Sequence, residues 1–295
     1  DIQPDDPKLF DLQIRQVANN LKSPRAWLNV ANPAEEAFVA MMGGHKLASK
    51  VEDDNNYMVM TETAERELKR ATNELHALFM HATDYVLQNA ELLSKFNLPP
   101  ALWPKIQQSW DNRRNQMITG RFDFSLSASG IKVYEYNCDS ASCYMEAGIV
   151  QDKWAKHYGC KEGENSATEL VEELVEAWKD SAVKGVIHIM QDTDLEENYH
   201  ALFMKRTMEK AGLECKVIKG VTSLRWDDDG DVIDAEGIKI RWVWKTWAWE
   251  TALDQIRAEC DDDEQRLRNY QTDTSRNEAP RLVDVLLRKD VMVYE

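Results

Sequence analysis

The stretch "GVIHIMQDTDLEENYHALFMKRTMEKAGLECKVIKG", residues 185–220, decides how we expect the second half of the chain to fold. It begins with an apolar run typical of a buried strand, continues as a helix that Gly212 closes, and finishes in a second strand-like run. A strand, a helix and a strand in succession are typical of a parallel α/β unit. The sequence therefore predicts an α/β (α+β) fold that contains a parallel unit.

Helices precede this unit and a hairpin follows it. Apolar residues recur at steps of three and four from Leu68 through Leu78 to Leu93, which predicts one long amphipathic helix ending before "NLPP" at 97–100. A further helix is predicted over 166–182. Residues 224–247 read as a hairpin with an Asp-Gly turn, leading into a strand. We expect the chain to divide into segments 1–60, 61–182 and 183–295.

Composition limits the classes of protein that fit. The 295 residues are 43% hydrophobic and carry a formal net charge of −16, so the surface repels nucleic acid and anionic membranes and tolerates a cationic small molecule. No stretch approaches 18 apolar residues, and no signal peptide is visible. Five scattered cysteines without a CxxC motif argue against a zinc site or a disulfide framework. We therefore predict a cytoplasmic protein.

The stretch "GRFDFSLSASGIKVYEYNCDSAS", residues 120–142, predicts a hairpin with unusual polar residues. A three-residue loop at 128–130, with Gly130 in the left-handed region, would place Asp123 opposite Glu135 and Arg121 opposite Asn137. All four polar side chains then share one face of the pair. The other face would be aromatic and would pair residues 122 with 136 and 124 with 134.

Two carboxylates that face each other across a strand pair destabilise it unless something offsets their charge. Magnesium prefers carboxylate and amide oxygens and completes its coordination with substrate phosphates, so Asp123, Glu135 and Asn137 form a candidate Mg²⁺ site. Arg121 beside them could hold a phosphoryl group during its transfer. The alternative is that Arg121 only forms salt bridges with the two carboxylates on an exposed sheet face.

Several longer segments of the sequence resemble one family. "GRFDF", "GIKVYEYNCDSASCYMEAG", "MQDTDLEENYH", "VWKTWAWET" and "RLVDVLLR" resemble, in this order, the synthetase domain of glutathionylspermidine synthases and the related trypanothione synthetases. The resemblance runs from about residue 110 to 295 and more loosely through the N-terminal helices. It implies an ATP-grasp-like carbon–nitrogen ligase that uses ATP and two Mg²⁺ ions. ATP would phosphorylate the glycine carboxylate of glutathione, and a spermidine amine would attack the acyl phosphate.

The resemblance assigns roles to the residues of the hairpin. Asp123 resembles a ligand of one Mg²⁺, Glu135 a ligand that bridges both ions, and Asn137 a ligand of the second ion. Arg121 resembles the residue that steadies the transferred phosphoryl group and the acyl phosphate. The same comparison implies that Arg121, Phe122 and Asp123 contact the nucleotide.

The resemblance also implies a pocket for glutathione and spermidine. Ser140 and Thr251 resemble substrate contacts, and Glu196 and Glu197 resemble acids that bind the polyamine. An ammonium group requires such carboxylates, and one amine must be held deprotonated to attack. Two structural readings remain open: Ser140 could cap the helix that follows it, and Thr193 with Glu196 fits a helix capping box.

In the family, the lysines and the glycine-rich loop that bind ATP follow the "VDVLLR…VYE" segment. We therefore expect this chain to lack that nucleotide clamp, and also the family's amino-terminal amidase. The leading hypothesis is glutathionylspermidine synthase activity, with segment 61–182 carrying the metal hairpin and segment 183–295 the substrate-binding part. The alternatives are a trypanothione synthetase that adds a second glutathione, and a non-catalytic fragment that binds glutathione or polyamine.

Overall fold

A computed structural model describes residues 10–17, 25–50, 53–259 and 279–295. Their contacts divide into two compact units, and the chain passes between them more than once. The first unit comprises the described residues within 1–83, 120–137 and 142–171, and the second those within 84–119, 138–141 and 172–295. The division of the sequence at residues 60 and 182 stays a prediction about the parts of the synthetase domain.

The described residues form helices and strands throughout. Short irregular turns add to them, a π-helical turn at Glu146–Val150 among them. In chain order the elements are β1 (Gln13–Gln16), α1 (Pro33–Met42), β2 (Asn56–Val59), α2 (Glu62–Leu87), α3 (Ala90–Ser94), α4 (Trp103–Asp111), α5 (Arg113–Gln116), β3 (Arg121–Ser127), β4 (Gly130–Asn137), α6 (Gln151–His157), α7 (Leu170–Lys179), β5 (Ile187–Gln191), α8 (Leu195–Lys210), β6 (Cys215–Lys219), β7 (Arg225–Trp226), β8 (Val232–Ile233), β9 (Trp242–Lys245), α9 (Trp249–Glu259), α10 (Leu282–Leu286) and β10 (Met292–Tyr294).

The first unit is built from two antiparallel strand pairs and helices. Strand β1 pairs with β2, and β3 pairs with β4. An aromatic core forms where Trp154 of α6 packs against Tyr158 and against Tyr57 of β2, with ring centroids 5.2 and 6.0 Å apart. The ammonium of Lys153 lies 2.7 Å from the buried carboxylate of Glu35, which ties α6 to α1.

The second unit contains a four-stranded parallel sheet in the order β10-β9-β5-β6. Every residue of β5 is buried, as expected for a central parallel strand whose two faces are both covered. Helix α8 packs on β5 and β6. The strand–helix–strand prediction is confirmed over residues 187–219, and the mixed α/β class with it.

Three local predictions about helices were wrong. The long helix stops at Leu87, and α3 begins after Asn89, whose side chain accepts a hydrogen bond from the Leu92 amide at 3.2 Å and so caps a new helix. Leu78, expected on the buried face, is 61% exposed. Helix α8 is capped by Asp194, whose side chain accepts a hydrogen bond from the Glu196 amide at 3.0 Å. Thr193 lies before this cap, so Thr193 and Glu196 do not form the capping box that the sequence suggested.

Within the described ranges, every helix is too short or too polar to cross a membrane.

Candidate functional site

The hairpin of β3 and β4 has the polar pairs that the sequence predicts. Arg121 lies opposite Asn137 and Asp123 lies opposite Glu135, so one face of the pair carries all four polar side chains. The register was predicted from Gly130, and this part of it is confirmed.

The route to that register differs from the prediction. Ser127 pairs with Gly130, so the loop contains only two residues, 128 and 129, while Gly130 keeps its positive φ of 91°. A two-residue loop alone would put the two carboxylates on opposite faces, because a slip of one residue inverts a strand. A bulge next to Phe124 inserts Tyr134 on β4 and restores the pairing. Phe124 therefore faces Val133, and Tyr134 is 75% exposed.

The other face of the hairpin packs against α2. The rings of Phe122 and Tyr136 stack at 3.9 Å, and Phe79 of α2 contacts both of them. His76 of α2 shares a 2.9 Å hydrogen bond with the Tyr136 hydroxyl. Gly120 is required at the start of the hairpin, because a Cβ there would lie 2.7 Å from the Tyr136 ring. Helix α2 therefore fixes which face of the hairpin stays polar.

On the polar face, two donors hold the two carboxylates. Arg121 contacts Asp123 Oδ2 at 3.1 Å, and the Asn137 amide nitrogen donates to the same oxygen at 2.8 Å and to Glu135 Oε1 at 2.7 Å. The hydrogen bond from Arg121 lowers the pKa of Asp123, and the same contact raises the pKa of Arg121. Both side chains remain partly open to solvent, at 32% and 38% exposure.

This donor set fits a hard divalent cation. Two carboxylates and one amide converge from facing positions, and each oxygen is of a type that Mg²⁺ prefers. Asn137 also has an amide oxygen, and the hydrogen bonds to Asp123 named above all reach Oδ2. Arg121 also contacts residues beyond the hairpin: its Nη1 lies 3.3 Å from the Ser142 carbonyl oxygen and 3.6 Å from Cys143 Sγ.

The predicted polyamine acids lie at the start of α8, after the carboxyl end of β5. Glu196 is exposed, whereas Glu197 is half-buried and hydrogen-bonds Thr246. Burial raises the pKa of Glu197, and Asp192 and Glu196 nearby add to that shift. The carboxyl ends of parallel strands are where ligands bind in open α/β sheets, and these acids lie at that edge.

Ser140 and Thr251 belong to the second unit as well. Ser140 has a positive φ of 48°, and its amide donates to Glu295 Oε2 at 3.2 Å. Thr251 is exposed in the first turn of α9, and its amide donates to the Ala248 carbonyl at 3.1 Å. Their substrate contacts stay predictions, as does the nucleotide contact of Phe122, whose ring lies on the aromatic face.

Sequence reasoning missed a buried ion cluster beside these residues. The ammonium of Lys245, at the end of β9, is 2.7 Å from Asp139 and 2.6 Å from Glu295, and it donates to the Trp247 carbonyl at 2.9 Å. Burial raises the pKa of Glu295. The available signal was a lysine at the end of the apolar run "WVWK", because a charge enclosed in a core requires a partner.

A second acidic group is neutralised by cations. Asp227, Asp229 and Asp231 bring oxygens within 4.8 Å of one another in the turn between β7 and β8. Lys239 lies 2.6 to 3.3 Å from the three carboxylates, and Arg241 is 2.8 Å from Asp231. These ion pairs give the acidic turn a structural explanation.

Comparison with known proteins identifies the family. A family model described as glutathionylspermidine synthase preATP-grasp matches residues 25–269. The bifunctional glutathionylspermidine synthetase/amidase of Escherichia coli (strain K12) is 47% identical over 269 residues, which are 91% of this chain and 42% of that protein. A trypanothione synthetase of Crithidia fasciculata is 33% identical over 292 residues, which are 97% of this chain and 43% of that protein.

The glutathionylspermidine synthase of Crithidia fasciculata is 30% identical over 256 residues, 77% of this chain and 33% of that protein. This chain therefore spans less than half the length of each of these relatives. The match of the family model extends over most of the chain and includes the hairpin and three strands of the parallel sheet, β5, β6 and β9. The chain belongs to the glutathionylspermidine synthase family.

Proposed function

We propose that this chain provides the metal hairpin and the substrate-binding edge of an ATP-dependent carbon–nitrogen ligase with an ATP-grasp-like fold. The reaction joins the glycine carboxylate of glutathione to an amine of spermidine. The observation that carries the proposal is the register of the hairpin, which sets Asp123 opposite Glu135 and Arg121 opposite Asn137 on one face. The names of the relatives agree with this chemistry.

The reaction proceeds in two balanced steps. A glycine carboxylate oxygen attacks the γ-phosphorus of ATP, the bond to the bridging oxygen breaks, and ADP leaves. The spermidine nitrogen then attacks the acyl carbon, phosphate leaves with the carbon–oxygen bond pair, and the nitrogen loses a proton. Asp123, Glu135 and Asn137 would hold Mg²⁺, which would neutralise charge on the phosphates.

Arg121 is the residue of this chain that meets the developing charge. Its guanidinium is held by Asp123 on one side and contacts the Ser142 carbonyl on the other, so it presents fixed donors toward the polar face. Donors fixed in advance stabilise charge that appears only in the transition state. Arg121 therefore steadies the transferred phosphoryl group and then the acyl phosphate.

Glu196 and Glu197 hold the polyamine. The exposed Glu196 binds a distal ammonium of spermidine, and the half-buried Glu197 binds an ammonium nearer to the reacting amine. A net charge of −16 also attracts a polycation to the surface. The higher identity to the bifunctional glutathionylspermidine synthetase/amidase than to the trypanothione synthetase favours a single glutathione over two.

The test measures phosphate release from Mg²⁺-ATP by this protein with glutathione, with and without spermidine, and detects the amide product by mass. Release that requires both substrates, with formation of glutathionylspermidine, supports the proposal. Omitting Mg²⁺ should stop release, and adding NaCl should not replace spermidine. Release that is equal without either substrate contradicts the proposal, and no release at all would show that this chain does not catalyse the reaction by itself.

A further inference from the structure

We propose that Lys245 is a positioning residue that orders the loop carrying Ser140 and the first turn of α9 carrying Thr251. The inference rests on the proposed function and on the resemblance described above, which implies that these two residues contact substrate. Lys245 itself does not reach substrate, because its side chain is 0% exposed. Its effect therefore passes through the groups that it binds.

The ammonium of Lys245 has three acceptors within 2.9 Å: Asp139, Glu295 and the Trp247 carbonyl. Three acceptors match the three protons of an ammonium group, so this buried charge is fully hydrogen-bonded. A buried charge so satisfied holds its partners in one geometry, because any displacement leaves a charged group unpaired.

Asp139 connects Lys245 to the start of α9 through hydrogen bonds. One of its carboxylate oxygens accepts from Lys245, and the other accepts from the backbone amide of Trp249 at 2.8 Å. Trp249 is the first residue of α9, so Asp139 binds one of the free amides at the helix start. Thr251 follows in the same turn.

Glu295 connects Lys245 to the backbone of Ser140. One of its oxygens is 2.6 Å from the Lys245 ammonium and accepts from the Trp249 indole at 3.1 Å, and the other accepts from the Ser140 amide at 3.2 Å. Ser140 needs this support, because a positive φ of 48° is unfavourable for a residue with a side chain. One ammonium thus links two segments that are far apart in the sequence.

The experiment compares amide hydrogen exchange and glutathione affinity in Lys245→Met and Asp139→Asn. In Lys245→Met, the amides of Ser140 and Trp249 should lose protection while amides of β5 and β6 keep theirs. The dissociation constant for glutathione, measured by calorimetry below the unfolding transition, should rise about tenfold. Asp139→Asn, which is isosteric and partly exposed, should raise it about threefold. If Lys245→Met does not fold, Asp139→Asn decides by the same two readouts.

Lys105→Met is the matched control. Lys105 also donates to backbone carbonyls, that of Arg288 at 2.7 Å among them, but it has no contact with Asp139 or Glu295. It should lower stability and leave glutathione affinity within about twofold. Unchanged protection at Ser140 and Trp249, or lost protection with unchanged affinity, overturns the inference. If the unaltered protein has no affinity for glutathione, the proposed function fails, and the exchange data still decide whether Lys245 orders the two segments.

Discussion

Two groups of charges with similar chemistry differ in how deeply their cation is buried. On the hairpin, one arginine and one amide hold two carboxylates that are close in sequence, with Asn137 and Asp123 only 14 positions apart. In the second unit, one lysine holds two carboxylates, and Asp139 is 106 positions from it. The side chains of Arg121 and Asp123 are 32% and 38% exposed. In the second group the Lys245 side chain is 0% exposed, whereas its partners Glu295 and Asp139 are 20% and 40% exposed.

The burial of each cation indicates whether its group acts on ligands or on stability. Exposed pairs gain little from their attraction, because water screens the charges, so the hairpin contacts contribute little to stability and leave the polar face accessible to a ligand. A buried charge is costly to leave unpaired, and loss of the Lys245 ammonium would leave the mostly buried Glu295 carboxylate without its cation. We therefore expect the hairpin to determine activity and the Lys245 cluster to determine structure.

The largest expected effect is on activity. Asp123→Ala removes a carboxylate from the metal site, and spermidine-dependent phosphate release should fall at least about 10³-fold. The temperature of unfolding should stay nearly unchanged, because Asp123 is partly exposed and faces a like charge. Strong ligation by this variant would contradict the metal assignment.

Asp228→Ala is its control, because Asp228 is an exposed acid in the turn between β7 and β8. It makes the same change in net charge and should leave release within about twofold of the parent protein. An equal loss in both variants would mean that net charge, and not the hairpin, determines the rate.

The next effect is on stability and tests the other half of the comparison. Lys245→Met leaves Asp139 and Glu295 without their ammonium, and the free energy of unfolding should fall by about 3–5 kcal/mol. Urea unfolding followed by tryptophan fluorescence measures it. A loss as small as that of an exposed salt bridge, below about 1 kcal/mol, would remove the distinction between the two groups.

The same contrast explains what the sequence could predict. The faces of the hairpin follow from a period of two and one glycine, and the parallel unit follows from apolar runs and Gly212. These signals are local. The bulge at Tyr134 leaves no such signal, because it corrects a loop that is itself one residue shorter than expected.

The Lys245 cluster is the opposite case. Lys245 and Glu295 meet because β9 and β10 are neighbours in the sheet, and Asp139 joins them from the segment after β4. No short stretch of sequence specifies either the strand order or this long-range contact. The break of the long helix at Asn89 lies between these cases. An asparagine that can cap a helix was visible, but the apolar pattern continued past it to Leu93.

The buried side chain of His200 is neutral and should make stability depend on pH. His200 is 5% exposed and packs against the Trp244 ring at 5.3 Å, and burial lowers its pKa from 6.5 to about 4. Below pH 6.5 His200 binds a proton in the unfolded chain but stays neutral in the folded protein until the pH approaches 4. The free energy of unfolding therefore falls as the pH falls toward 4. From pH 7 to pH 5 the loss should be about 2 kcal/mol.

Urea unfolding at pH 7, 6 and 5 measures this loss, and His200→Gln should flatten the dependence. Burial also lowers the pKa of His188, so part of the slope should remain in that variant. A slope that is the same in the variant and the parent protein would show that His200 is not the group responsible.

The smallest effect repeats the comparison within one turn of α8. Glu197 is half-buried and Glu196 is exposed, so a spermidine ammonium gains more from Glu197, where water screens the attraction less. Glu197→Gln should weaken spermidine binding about tenfold and Glu196→Gln about threefold, measured by calorimetry in 150 mM salt.

Glu209→Gln is the control, because Glu209 is an exposed acid near the other end of α8, and it should change affinity less than twofold. Because the pKa of Glu197 is raised by burial, the difference between the first two variants should shrink as the pH falls and Glu197 takes up a proton. Equal effects of all three variants would mean that spermidine binds only to the general negative surface.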